Sequence, residues 1–483
     1  MNGDLPEGWT TTELHNCVDV LDSIRVPVNS DERASRRGEI PYYGATGQVG
    51  WIDDFLFDEE ILLIGEDGAP FFDKSKPIAY IVSGKSWVNN HAHVLRARAT
   101  TSTNQYLKHF LDWFEFHDYV NGTTRLKLTQ GSMNGIPVRL APIPEQRRIV
   151  AQVEALLASV RSSQERLDKI PTMLKRFRQA VLGAACNGNL TADWRAKNRP
   201  KESASILLGR IQESLPRSAR GQTVHPDGEA ESTDEIPKTW IRCSLSQLFS
   251  IQTGATPLKT NPKYHLNGTI PWVKTGEVQN CEIWKAEEYI TQQAVQETNA
   301  KVFPIGTLLI AMYGEGKTRG QVGRLQIEAA TNQASAALVN PKLPDETNRY
   351  VFYFALSQYL RLRAEAVGGN QPNLSLRIIK QWELSFPPFD EQKEIVRRIE
   401  SLLALADRLE ARYTKAKAQV DRLTQSVLAK AFRGELVPTE AELARREGRE
   451  YETAKELLAR IKGNAATSAK GASSRRPRAL VKR

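Results

Sequence analysis

The sequence predicts an α/β (α+β) chain: two domains in tandem, separated by two long helices whose coiled-coil stripes pack the two copies against each other, all within an internal two-fold repeat. Three observations predict it. First, the segment from Pro142, PIPEQRRIVAQVEALLASV, returns from Pro388 as PFDEQKEIVRRIESLLALA, at a constant offset of 246 that carries Glu145 to Glu391 and Leu190 to Leu436. Second, Ile395, Ile399, Leu402, Ala406, Leu409, Tyr413, Ala416, Val420, Leu423 and Val427 alternate spacings of 4 and 3 without a break, the a/d stripe of a coiled coil. Third, the stretches before both repeats carry short apolar runs punctuated by Gly, Asn, Asp and Pro, the pattern of strands and turns.

Residues 1–141 form the first domain, with strands expected at 60–64 and 78–82 and a helix at 105–117. Residues 142–190 form the first long helix, carried by Ile149, Val153, Leu156, Val160, Leu167, Ile170, Leu174, Phe177 and Val181. Pro171 lies inside it, and a proline there removes a backbone donor and clashes with the preceding turn, so a bent or split helix is expected. Residues 191–235 mix polar residues with Pro and Gly around one short helix and are expected to be a linker. Residues 236–387 form the second domain, opening on Ile236-Pro237-Lys238-Thr239-Trp240 as the first opens on Leu5-Pro6-Glu7-Gly8-Trp9, with a strand at 307–310 and a helix at 349–366. Residues 388–436 form the second long helix, which rises about 48 Å from Ile395 to Val427 at 1.5 Å per residue. Gly188 and Gly434 stand where helix C-termini favour glycine. Residues 437–462 hold a C-terminal helix similar to the one around Ile206–Ile211, and residues 463–483, with six basic and no acidic side chains, are expected to be a disordered tail.

Composition narrows the class. With 66 Lys plus Arg against 56 Asp plus Glu the net charge is +10, which makes nucleic acid a plausible partner. The charge is unevenly placed: residues 1–141 are net −6 and the last 21 residues net +6. Any anion-binding face of the first domain must therefore be a local patch. No run approaches the ~18 apolar residues of a membrane span. Met1 to Trp9 shows neither a basic leader nor an apolar core, so export is not expected. Four scattered cysteines suit neither a disulfide framework nor a metal site. A cytoplasmic protein bound to no membrane is expected.

Two motifs invite an enzymatic reading. Ala311-Met312-Tyr313-Gly314-Glu315-Gly316-Lys317-Thr318 ends like a phosphate-binding loop, and an NTP-using enzyme built on Lys317 and Thr318 is the rival function. The first glycine position is Ala311, however, and glycines follow where a phosphate-binding helix must open. Phe386-Pro387-Pro388-Phe389 is similar to an amino-methyltransferase motif but lacks its leading polar side chain, so the prolines are expected to end a strand. No catalytic residue, metal ligand or cofactor is assigned to the chain. A coiled-coil scaffold without a nucleic-acid role is the third reading.

What remains are loops in which basic, amide and aromatic side chains interleave: Tyr42, Tyr43 and Thr46; Lys85, Trp87, Asn89, Asn90 and His91; Arg125 and Lys127; Lys274 and Thr275; Lys317, Thr318, Arg319 and Gln321; Asn332 and Gln333; Asn370, Gln371 and Asn373. Arg and Lys pair with guanine edges, Asn and Gln with adenine, and hydroxyls hold phosphates, so these are the candidate DNA contacts. The same residue types also shape turns, and the case rests on both domains offering comparable sets.

The repeat, the paired Glu145-Gln146 and Glu391-Gln392 helix starts, and the segments Ile40–Gly47, Trp87–Ala92 and Met312–Gly320 resemble the specificity (S) subunit of Type I restriction-modification systems, the HsdS family, over residues 1 to about 462. The resemblance implies that residues 1–141 and 236–387 are target-recognition domains, each reading one half of a bipartite, asymmetric double-stranded DNA site. It implies that the long helices pair as an antiparallel coiled coil, set the spacing and dock two modification (methyltransferase) subunits, a role expected of Glu145, Gln146, Ile149, Glu391, Gln392 and Ile395. S-adenosylmethionine, ATP and Mg would then act on partner subunits, the restriction subunits among them, which supply adenine-N6 methylation and ATP-dependent cleavage.

Overall fold

The structure is a computed structural model that describes residues 5–217, 236–314, 318–365 and 374–473. It divides into two compact units, residues 1–168 with 413–483, and residues 169–412. This departs from the division into sequence halves. Each unit joins one domain to the long helix that follows it and to the C-terminal part of the other repeat.

In the first unit, Val18–Val20, Ala92–Ala97, Ile61–Gly65 and Ala79–Val82 lie in that order as a four-stranded antiparallel sheet. A second sheet orders Gly47–Ile52, Ile40–Gly44, Lys85–Val88 and Phe57–Asp58, with Ile40–Gly44 and Lys85–Val88 parallel. Thr10–Glu13 pairs with Pro137–Leu140 and ties the two ends of the domain together. The strands alternate with no exposed face in Ile61–Gly65, which is buried throughout, as expected for the middle of a sheet covered on both sides. Helix Asn104–Trp113, N-capped by Thr103, covers this sheet and packs Tyr106, Phe110 and Trp113 around Phe432, at ring-centroid distances of 5.4, 5.3 and 5.6 Å.

The second unit has the same plan. Ser250–Thr253, Ser335–Val339, Leu308–Ala311 and Val322–Leu325 form the first sheet, extended by Cys281–Ile283. Glu288–Ile290, Ile270–Val273, Ala329–Thr331 and Val302–Phe303 form the second, again with one central parallel pair. Ile241–Ser244 pairs with Glu383–Phe386, which ends at the prolines before the long helix, as expected.

The first long helix is split into Ile143–Leu167 and Ile170–Cys186, with Pro171 in the first turn of the second piece, where a missing N–H costs nothing. The second is continuous over Phe389–Arg433, 45 residues or about 68 Å. Within the first unit the pairing is antiparallel, for Arg148 binds Glu440 whereas Gln164 and Asp168 bind Asp421 and Lys417. Within the second, Arg178 binds Asp407 and Glu410 whereas Leu190 meets Arg398. Of the stripe, Ile395, Ile399 and Ala406 are buried, whereas Leu409 and Leu423, expected in the seam, are 41% and 44% exposed. Heptad spacing places them on one face but does not supply a neighbour for every turn.

Each repeat is fastened in the same way. Trp9 Nε1 donates to Glu145 at 2.8 Å, and Trp240 Nε1 to Glu391 at 2.8 Å. Gln146 donates to the Ala141 carbonyl and accepts from Ser102; Gln392 donates to the Pro387 carbonyl and accepts from Thr347. Gly188 and Gly434 have φ of +81° and +76°, and a Cβ there would meet the Pro237 and Pro6 rings at 2.5 and 2.3 Å. The helix starts expected to dock partner subunits are these fasteners: Glu145, Gln146, Ile149, Glu391, Gln392 and Ile395 are all buried, so their side chains present nothing to a partner.

Two other expectations are corrected. The segment expected to be a linker is folded as far as Leu215: helices Ala192–Lys197 and Ala204–Ser214 belong to the second unit, whose core takes Leu207, Leu208 and Ile211, and Leu215 is buried. The tail expected to be disordered from 463 continues the helix Ala454–Ser473, because its alanines favour helix and no proline intervenes before Pro477. Residues 218–235 and 474–483 lie outside the described residues.

Candidate nucleic-acid interface

In each unit the candidate loops gather at the carboxyl edge of the central parallel strand pair. In the first, Ile40–Gly44 and Lys85–Val88 end side by side, with Tyr42 opposite Trp87 and Tyr43 opposite Val88. Asn89, the next residue, donates its N–H to the Tyr43 carbonyl and accepts the His91 N–H on Oδ1 at 2.8 Å, which shapes the turn. The Tyr80 hydroxyl holds the Gly44 carbonyl from below. Thr46 and Asn90 are exposed on the rim. The hairpin bearing Arg125 and Lys127 is brought alongside by backbone bonds from Gly68 to Leu126 and from Leu128 to Glu66.

The charges at this edge are paired. Asp67 holds Arg125 at 2.7 Å and His91 at 2.8 Å, and Glu66 holds Lys127 at 3.3 Å and Arg25 at 2.8 Å. Arg125 and Lys127 remain more than half exposed, while the carboxylates that hold them, Asp67 and Glu66, are 20% and 16% exposed.

The second unit repeats the construction. Val273 lies opposite Thr331 in the parallel pair, and Lys274-Thr275 and Asn332-Gln333 follow the two strands. Thr275 donates to Asn332 at 2.7 Å and Thr256 to Gln333 at 2.5 Å. Glu287 and Glu288 bind Lys274 at 3.0 and 3.1 Å and raise its pKa through those hydrogen bonds. Thr318, Arg319 and Gln321 lie in the turn beside it, where the Ala311 N–H meets the Gln321 carbonyl and Gly320 returns a bond to Ala311. The turn joins two antiparallel strands, Leu308–Ala311 and Val322–Leu325, so the helix N-terminus a phosphate-binding loop requires is absent from the described residues. Lys317, Asn370, Gln371 and Asn373 lie outside the described residues.

Three candidates do not join the cluster. Tyr42 is buried with its hydroxyl between the Val28 N–H and carbonyl, and Trp87 is buried with Nε1 donating to the Val26 carbonyl; both are core. Lys85 sits at the opposite end of its strand, over the Phe55 ring at 4.6 Å. Sequence reasoning missed Trp51, 54% exposed on the edge strand directly across from Pro41, and its counterpart Tyr289, 43% exposed across from Pro271. It also missed Arg33 and Arg36, stacked on Tyr42 and Trp87 at 4.8 and 4.7 Å. The signal available was Ile40-Pro41-Tyr42-Tyr43 against Ile270-Pro271-Trp272-Val273, a match at offset 230. Among the described residues no three His, Cys, Asp or Glu gather as a metal site, and no helix is long and apolar enough to cross a membrane.

The fold recurs in known proteins. The family described as Type I restriction modification DNA specificity domain matches residues 6–172 and again 237–418. The specificity subunit of the Type I restriction enzyme EcoDI of Escherichia coli is 28% identical over 453 residues, covering 90% of both chains. That of EcoKI from Escherichia coli K12 is 26% identical over 461 residues with the same coverage. Among solved structures, the HsdS subunit from Thermoanaerobacter tengcongensis shares the fold with a TM-score of 0.52 at 16% identity, covering 90% of this chain and 98% of that one.

Proposed function

Since the chain belongs to the Type I restriction modification DNA specificity family, matched by both of its repeats, we propose that it positions a methylation and cleavage machinery on DNA, one half-site per unit. The observation that carries the reading is the recurrence of one interface plan: a turn with a hydroxyl residue after the first strand of each parallel pair and an amide-bearing turn after the second, held by Asn89 in one unit and Asn332 in the other. Such edges present amide and cationic groups to base edges while neighbouring hydroxyls and N–H groups fix phosphates. The long helices set the gap between half-sites, and two modification subunits bind the chain, with restriction subunits added to that core. The chemistry belongs to those partners, which bind S-adenosylmethionine, ATP and Mg. Methylating a base requires flipping it from the stack, a task separate from reading its neighbours. The complex works in the cytoplasm, where its DNA is.

Exchange of residues 236–387 for the corresponding domain of another family member tests this. Methylation mapping is expected to show one half-site changed and the other retained; an unchanged bipartite sequence rejects domain-wise recognition.

A further inference from the structure

Where the hairpin bearing Arg125 and Lys127 joins the first unit, four ionisable side chains meet. His93, in strand Ala92–Ala97, has a side chain only 1% exposed, and each ring nitrogen faces an acceptor: Nδ1 lies 2.6 Å from Asp22 Oδ2 and Nε2 lies 2.9 Å from the Leu128 carbonyl. A carbonyl oxygen cannot donate, so Nε2 carries the hydrogen of that second bond. Arg25 binds Asp22 at 3.3 Å, Glu66 at 2.8 Å and the Ala92 carbonyl at 2.7 Å, while Asp22 also takes the Val94 N–H at 2.8 Å. Glu66 stands 3.8 Å from His93 Nδ1. Asp22, Arg25 and Glu66 are each less than one-fifth exposed. Such groups are costly to bury even when paired, and apolar side chains of similar volume often serve stability as well or better. The second unit takes the apolar course. Ile64 stands opposite His93, whereas Ile310, 246 residues on, stands opposite Ala336.

What His93 adds is the bond to Leu128. That residue pairs with Val120 to close the hairpin, and it donates its own N–H to the Glu66 carbonyl at 2.7 Å. Its peptide groups are therefore gripped on both sides, from the segment after Ile61–Gly65 and from the neighbouring strand Ala92–Ala97. Resting on the reading of the chain as a specificity subunit, we propose that His93 is a positioning residue for the half-site read by the first unit. Its Nε2–H fixes the hairpin so that Arg125 and Lys127 stand beside Asn89 and His91, and Asp22, backed by Arg25, orients the ring. Asp67 and Glu66 also tie the hairpin, through Arg125 and Lys127, but those ties compete with DNA for the same two cations. The bond to a backbone carbonyl leaves both cations free. Ala336 can make no such bond, so the device belongs to one reader of the two.

The test sets two amides against each other. An asparagine amide reaches as far as Nδ1 and keeps a donor for Asp22, whereas a glutamine amide reaches as far as Nε2 and keeps a donor for Leu128. Both replace the ring by an uncharged group, so a role in the charge balance of the core is lost equally. The full chain, assembled with its own modification subunits, is assayed for binding to its cognate duplex and to duplexes altered in one half-site; the half-site retained on exchange of residues 236–387 is that of the first unit. His93→Asn is expected to lose discrimination at that half-site by about tenfold, the size of one lost base contact, and to keep it at the other. His93→Gln is expected to recover most of the loss, and hydrogen exchange at the Leu128 amide is expected to quicken in the first variant more than in the second. Equal discrimination in the two variants overturns the proposal, and so does loss at both half-sites. Should His93→Asn fail to fold, Arg125→Ala on the exposed hairpin decides: discrimination kept at the first half-site leaves His93 nothing to position and overturns the proposal, whereas loss confined to that half-site, with His93→Gln retaining it, supports it. A wild-type complex that binds cognate and altered duplexes alike refutes the specificity-subunit reading itself, so the two failures are distinct.

Discussion

The two units have one strand order and one set of fasteners, yet they fill those fasteners differently. Glu145 takes the Trp9 indole on one oxygen and the Glu440 N–H on the other, with no cation bound directly, and burial raises its pKa. Glu391 takes the Trp240 indole on one oxygen and Thr191 with Arg195 on the other. Position 432 holds Phe in a three-ring aromatic nest, while its repeat partner, Cys186, touches Ser357. The common feature is the geometry of the joint; each unit satisfies the remaining valences with whatever its own domain brings.

The largest break in the symmetry is Phe432→Ala. It should destabilise the first unit by about 3–5 kcal/mol through the cavity it leaves. Cys186→Ala, which deletes one sulfur, should cost the second unit about 1 kcal/mol. Hydrogen exchange resolved by unit measures both, and equal losses would contradict the difference in packing.

Next is the carboxylate at each joint. Glu391→Gln leaves Arg195, only one-fifth exposed, without its charge partner and should cost the second unit about 1–3 kcal/mol. Glu145→Gln should cost less, since an ionised Glu145 is itself penalised by burial. The sign follows: a carboxyl whose folded pKa exceeds its unfolded value favours folding at low pH, and that contribution is lost as pH rises from about 4.5 through the folded value. Urea melts against pH should therefore show a slope for the first unit that Glu145→Gln flattens.

The reverse sign holds at position 394, where the first repeat has Arg148. Hydrogen bonds from Arg397 and Arg398 hold Glu394 down to about 2. Its contribution is complete above the unfolded value near 4.5 and is lost as pH falls toward about 2. The second unit should thus lose stability over that window, and Glu394→Gln should remove the dependence. Acid titration followed by hydrogen exchange checks it.

The helices and the repeat were legible because their signals are local: a 4-and-3 spacing, a proline at 171, a glycine after each helix end. The strands at 61–65, 79–82 and 308–311 were legible as apolar runs. The exchange of C-terminal parts was not, since nothing in the run Ile206–Ile211 says which domain its apolar face will meet. The candidate interface was half legible. Residue chemistry pointed to Asn89, His91, Thr275 and Asn332, but the parallel pairing of Tyr43 with Val88, 45 residues later, gathers them, and no local pattern encodes that pairing. Tyr42 and Trp87 misled because their polar atoms find backbone partners inside.

The smallest stability effect belongs to the exposed aromatics, and it sharpens the comparison most. Trp51 and Tyr289 stand opposite Pro41 and Pro271 at matching edge-strand positions, so neither anchors a core. Trp51→Ala and Tyr289→Ala should change stability by no more than about 0.5 kcal/mol. If the edge strands belong to the interface, each variant weakens DNA binding by about 1–3 kcal/mol, the size of an aromatic contact to a base. Competition assays with duplexes altered in one half-site separate the two: Trp51→Ala should erase discrimination at one half and Tyr289→Ala at the other. Equal loss at both halves from either variant would mean that the aromatics act through non-specific contacts rather than as parts of two separate readers.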